Sequence, residues 1–154
     1  MKKKAKKSNL FRYILIILLG FLAVGAFLGG LTFIIRPDGS IFQMPVELLA
    51  NSPFKNFMLP GIILFTFFGI FPILVVYLLI KKPESRFLNR LNLIDDYHFS
   101  WTFAIYTGIA LIIWINVQTL ILNTVNILHT LYSTLGIIII CVALLPQTRK
   151  NYRI

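Results

Sequence analysis

Acidic side chains are scarce in this chain. Five Asp and Glu stand against fifteen Lys and Arg among 154 residues, a formal net charge of +10, so the excess positive charge calls for either nucleic acid or a membrane surface. Cysteine occurs once, at Cys141, which excludes a disulfide framework and says nothing of redox compartment. Charged residues make up only 13% of the chain while hydrophobic ones make up 58%, a balance that excludes a soluble globular fold. The scarcity is also positional. Tyr13 to Ile35, Phe57 to Ile80, about Ser100 to Leu122 and about Ile127 to Leu145 contain no Asp, Glu, Lys or Arg.

A hydrocarbon core about 30 Å thick needs roughly 20 apolar residues as helix. Each run is about that length, so the spacing predicts an all-α membrane protein with four transmembrane helices. Lys and Arg are retained on the cytoplasmic side during insertion, and thirteen of the fifteen fall before the first span, between the second and third, or after the fourth. Only Arg36 and Lys55 lie in the opposite loops. Both termini are therefore expected to be cytoplasmic, and the basic charge needs no nucleic-acid partner. The lysine run at the amino terminus serves as a topology determinant, with attraction to anionic lipid as the alternative. The amino terminus also resembles a secretory signal, but the first apolar run continues through Gly29 and Gly30 to Ile35 and exceeds the usual signal-peptide core, so an uncleaved anchor is expected.

This divides the chain into a basic tail over 1–12, a four-helix domain over 13–145, and a second cytoplasmic tail over 146–154. Within the domain, an outer loop covers 36–56 and an inner amphipathic loop 81–99. The link Asn123-Thr124-Val125-Asn126 predicts a tight antiparallel hairpin of the last two helices. Gly25 and Gly29, and Ala26 and Gly30, are each four apart, placing small residues on one face of the first helix for close packing against another helix of the chain. Pro72 interrupts the second span and predicts a kink beside the carbonyl of Phe68.

The outer loop is too apolar for an ordinary linker. Arg36-Pro37-Asp38-Gly39 has turn chemistry, Pro45 precedes Val46-Glu47-Leu48-Leu49 as at a helix start, and Ser52-Pro53 repeats that signal before the second span. A re-entrant or interfacial cap over the outer mouth of the bundle buries these residues. On the inner side, Phe87, Leu88, Leu91 and Ile94 recur at helical spacing beside Arg86 and Arg90, as in a helix resting in the interface. Asp95 or Asp96 is expected to cap the next helix, with Tyr97 and Trp101 in the inner aromatic belt.

The absence of ionisable groups at membrane depth argues against a proton-coupled pump and a voltage sensor. What remains is a polar cluster in the outer half of the last two spans. The candidate binding residues are Glu47, Trp114, Asn116, Gln118 and His129, with Gln118 one turn after Trp114 as acceptor for its indole proton. Asn116 and Gln118 diverge by about 200° around the helix, so they cannot face one neighbour. Interhelical hydrogen bonding competes with a binding pocket as their role. Neither catalytic residues nor a metal site is expected: His98 and His129 lie on opposite sides, and no paired zinc spacing exists. Glu47 with His129 is a weak acid–base pair.

Pro37-Asp38-Gly39-Ser40, Met44-Pro45-Val46-Glu47-Leu48-Leu49, Ser52-Pro53-Phe54, Pro60-Gly61, Trp114-Ile115-Asn116-Val117-Gln118 and Leu128-His129-Thr130-Leu131-Tyr132 together resemble an uncharacterised family of small four-span bacterial membrane proteins. The ending Val142-Ala143-Leu144-Leu145-Pro146-Gln147-Thr148-Arg149 resembles it too. The likeness covers roughly residues 20 to 150; the lysine-rich tail falls outside it, and the segment from Lys81 to His98 is longer than in many relatives. The resemblance implies the bacterial cytoplasmic membrane and carries no activity with it. The expected function is non-enzymatic, without a cofactor, acting by association with membrane lipid, a partner membrane protein or a second copy of the chain. An oligomeric permeation or transporter subunit, and an enzyme acting on lipid at the outer face through Glu47 or His129, are the alternatives.

Overall fold

The computed structural model describes the backbone of residues 2–154 and the side chains of residues 10–154, so the lysine run at 2–7 lies outside the described side chains. Four helices are long and apolar enough to cross a membrane, and the chain is an all-α four-helix membrane protein. We number the helices α1 (Lys2–Ile35), α2 (Met58–Lys81), α3 (Arg86–Asn89), α4 (Phe99–Leu122), α5 (Ile127–Leu144) and α6 (Pro146–Arg149). The end carrying the 36–57 loop and the α4–α5 link is here the loop end; the other is the terminal end. The four membrane-length stretches, Leu10–Ile35, Met58–Lys81, Phe99–Leu122 and Ile127–Leu144, begin and end within three residues of the expected boundaries, although the helix of the first continues back to Lys2.

Glycines set the helix pairing. A Cβ at Gly30 would lie 2.5 Å from the amide nitrogen of Phe65 and 2.8 Å from the carbonyl oxygen of Gly61, so α1 and α2 touch backbone to backbone. The small-residue face of α1 therefore packs within the chain, Gly30 against α2 and Gly25 against Tyr132 of α5. Gly108 and Gly136 do the same for α4 and α5, each Cβ position falling about 3 Å from the other's carbonyl oxygen (2.9 and 3.0 Å). The link between α4 and α5 is the expected tight turn: Asn123 takes the left-handed conformation at φ 48° and Asn126 caps α5.

The proline of the second span acts over a longer stretch than a single kink. Leu64–Ile70 is π-helical, and the Phe71 amide reaches back to the carbonyl of Thr66. Widening the turn just before Pro72 accommodates a ring that would otherwise press on the preceding turn and lacks an amide to donate.

At the terminal end, Leu15, Leu19, Val75, Leu79, Phe99 and Ile139 are fully buried and close the bundle. The carboxy-terminal segment, read from the sequence as a tail over 146–154, is docked there. Tyr152 is 1% exposed and its hydroxyl donates to the Leu79 carbonyl at 3.2 Å. Burial pushes its pKa up to about 12, Arg12 beside it acting in the opposite direction. Lys82 lies over its ring at 4.6 Å and donates to the Asn151 carbonyl. Arg12 donates to the carbonyls of Leu79 and Ile80, both at 3.1 Å, near the negative end of α2.

Several inner-loop expectations are corrected. The cap of α4 is His98, not Asp95 or Asp96, because the His98 amide is pinned to the Tyr152 carbonyl at 2.7 Å and the helix starts after that anchor. Trp101 is 2% exposed and donates to the Ala143 carbonyl at 2.8 Å, so it belongs to the core rather than an aromatic belt. The amphipathic segment is helical only over Arg86–Asn89, capped by Ser85. Phe87, Leu91, Leu93 and Ile94 are nevertheless exposed beside Arg86 and Arg90, a surface suited to a lipid interface.

The His98 cap carries a pH dependence. Nδ1 accepts the Ser100 amide at 3.2 Å and Nε2 faces the Pro83 carbonyl at 3.1 Å, which suits the neutral ring protonated on Nε2. Burial holds its pKa below the ordinary 6.5, with Lys82 adding to the effect and the Pro83 carbonyl opposing it. The unfolded chain then binds the proton more readily. This ring's contribution is fully present above pH 6.5 and is lost as pH falls from there through the folded pKa. Melting curves in detergent from pH 8 to pH 5 should fall less in His98→Asn, which keeps an acceptor for the cap and does not titrate. Superimposable pH curves for the two proteins would exclude the effect.

Candidate functional site

Because α2 leans on α1 and α4 leans on α5, the two close pairs leave space between them toward the loop end. An uncharged cavity of about 700 Å³ occupies it, lined by residues of all four spans and of the loop. That volume falls in the ~300–1,000 Å³ range of small-molecule sites. Leu22 and Leu111 lie at its deepest level and Leu122 near its top; eleven residues of α4 separate the last two, about 16 Å along the axis.

The loop is the roof. Gly39, at φ 73°, lets the chain reverse after α1, and a Cβ there would strike the Met44 carbonyl oxygen. The Phe57 amide returns to the Pro37 carbonyl at 2.9 Å, closing the loop on itself. Asp38 accepts from the Ser40 hydroxyl at 2.8 Å and from its amide at 3.1 Å, and these bonds hold its carboxyl below the usual range. Two 3-10 turns follow, Ser40–Phe42 and Val46–Leu49. Leu49 and Phe57 are each 3% exposed and pack with Leu122, Phe33 and Ile121, so the cap lies level with the helix ends rather than entering between the helices. Ser52-Pro53 starts no helix: the Ser52 hydroxyl folds a local turn and α2 begins only at Met58.

The cavity wall also reaches the surface of the bundle. Tyr132 of α5 meets α1 at Gly25. One turn closer to the loop end, Leu28 on α1 and Leu128 on α5 both line the cavity, and both are more than half exposed, at 58% and 56%. On α1 and on α5 the lining of the cavity is thus continuous with the exposed surface of the bundle.

Three of the five sequence candidates line this space: Trp114, Gln118 and His129. Asn116 points away, exposed, and donates to the Ile112 carbonyl of its own helix at 2.8 Å. It joins no two helices. Glu47 is exposed on the second 3-10 turn and is not part of the lining. The indole nitrogen of Trp114 is buried without a hydrogen-bond partner among the described residues, so the bond expected from it to Gln118 is not made. The Trp114 ring stacks instead on Phe68, centroids 6.2 Å apart.

His129 is 7% exposed and belongs to a capping box: Asn126 Oδ1 accepts the amides of Leu128 and His129, while His129 Nδ1 accepts the Asn126 amide at 3.2 Å. The histidines thus serve alike at opposite ends, each holding the start of a helix. Tyr132, missed in the sequence, was legible there: it follows His129 by three residues and so shares its face of α5. Among the described residues no group of three or more His, Cys, Asp or Glu is placed to hold a metal ion. Cys141 is exposed on the outside of α5.

Comparison of the chain with protein families, with curated proteins and with solved structures finds no match.

Proposed function

We propose that this is a non-enzymatic multi-pass protein of the bacterial cytoplasmic membrane, with both termini cytoplasmic, that binds a membrane lipid in the cavity beneath its outer loop. One observation carries the reading: an uncharged cavity of about 700 Å³ has exposed leucines of two different spans, Leu28 and Leu128, in its lining. An apolar site whose lining continues onto the exposed surface of the spans is reached most directly from the bilayer, since an entering chain stays in hydrocarbon throughout, whereas a water-soluble ligand has first to cross the loop roof. The positive-inside distribution supports an outer-leaflet position for the cavity. The resemblance of the loop motifs supports the bacterial membrane. An acid–base role for Glu47 with His129 has little support, because the carboxylate stands outside the space that His129 lines.

Replacing Leu28 and Leu128 together by Trp crowds this part of the lining without touching the core. Native mass spectrometry of protein released from nanodiscs should show a retained lipid on the parent chain and at least a tenfold smaller bound fraction on the double variant. Equal retention would remove the route past these leucines.

A further inference from the structure

The cavity's unused polar atoms indicate which lipid it takes. His129 gives up the acceptor nitrogen of its ring to the capping box, where Nδ1 receives the Asn126 amide. A neutral imidazole that accepts at Nδ1 carries its proton on Nε2, so the cap itself turns Nε2 into a donor. That N–H has no partner among the described residues, and His129 lines the cavity. Capping boxes ordinarily use Glu or Gln in this position; Glu is an acceptor only, whereas histidine fills the cap with one nitrogen and keeps a neutral donor on the other.

One turn away, the Tyr132 hydroxyl lies where a Cβ at Gly25 would be, so a glycine on α1 keeps room for it. It too has no hydrogen-bond partner among the described residues, and neither does the Gln118 amide, which lines the cavity from α4. With the buried, unpartnered indole N–H of Trp114, neutral donors thus line a space that has no charged residue in its lining. A charged group would be desolvated there without a counter-ion, and a plain hydrocarbon would leave the donors unmatched.

We propose that the cavity receives a neutral lipid through a carbonyl oxygen, with His129 Nε2–H, the Tyr132 hydroxyl and the Gln118 amide as its donors; this rests on the lipid-binding reading above. Ester and quinone carbonyls share that chemistry. The full chain, purified in dodecyl maltoside, whose tails carry no carbonyl, is titrated with dioleoylglycerol, with a decyl-substituted benzoquinone and with hexadecane. Affinity is read from the rise in melting temperature with ligand concentration.

At least one carbonyl probe should bind about tenfold more tightly than hexadecane, the effect of one net hydrogen bond or slightly more; the preferred probe tells ester from quinone. Tyr132→Phe, which removes one oxygen, and His129→Glu, which keeps the cap acceptor and removes the donor, should each abolish most of that preference. If His129→Glu fails to fold, Tyr132→Phe decides. Equal binding of all three probes, or carbonyl preference unchanged in Tyr132→Phe, overturns the donor assignment and leaves a lipid cavity. Failure of every probe, hexadecane included, overturns the lipid-binding reading as well.

Discussion

Gly30→Ala is expected to destabilise the protein by about 1–3 kcal/mol, the usual range for overpacking, while Gly20→Ala ten residues earlier on the same helix leaves it unchanged or up to about 1 kcal/mol more stable. A methyl group at Gly30 meets the amide nitrogen and Cα of Phe65 and the carbonyl of Gly61 at 2.5 to 2.8 Å. All three are backbone atoms, so no side-chain rotation relieves the contact, and α1 and α2 must separate. At Gly20 nothing lies within 4 Å, and only the better helix propensity of alanine remains. Melting temperatures of the two variants in one detergent test the pairing. Equal values would mean that α1 and α2 do not meet at Gly30.

Tyr152→Ala is expected to cost more, about 3–5 kcal/mol, as for other buried aromatic truncations. The ring is buried beside Arg12 of α1 and the end of α2 and carries the Lys82 contact and the hydroxyl bond to Leu79. Its backbone carbonyl anchors the His98 amide, so releasing the segment also loosens the start of α4. Tyr152→Phe keeps the ring and loses one hydrogen bond, worth about 1 kcal/mol. Limited trypsin digestion should cut after Arg149 and Lys150 much faster in Tyr152→Ala than in Tyr152→Phe or the parent. Equal cleavage of all three would show that the segment is not held by this ring.

Some of the candidate site was readable from residue spacing and some was not. The separation of Asn116 and Gln118 around their helix shows that only one can face inward, but the choice depends on the rotation of α4. Contact of Gly108 with Gly136 sets that rotation, and it turns Gln118 to the cavity with Leu111 and Ile115 while Asn116 faces outward. His129 was noticed as a polar residue near the loop end; its tautomer follows only from the Asn126 amide pointing at Nδ1. Glu47 drew attention as one of two acids in the outer loop, yet the packing of Leu49 and Phe57 leaves it on the exposed side of the roof.

The amino-acid sequence by itself determined the four membrane-length helices, the hairpin of the last two and the apolar cap after the first. Each depends on a local property: the length of an uncharged run, a turn signal, or hydrophobic residues that water would expose. Only the tertiary structure decided the docking of Tyr152, the start of α4 at His98 and the cavity. The docking and the cavity arise from meetings between residues far apart in the chain, Gly30 with Gly61, Gly108 with Gly136, and Leu79 with Tyr152, and the His98 cap is placed by the distant Tyr152 carbonyl. Contacts of that kind depend on the relative rotation and spacing of whole helices, which no single segment of sequence encodes.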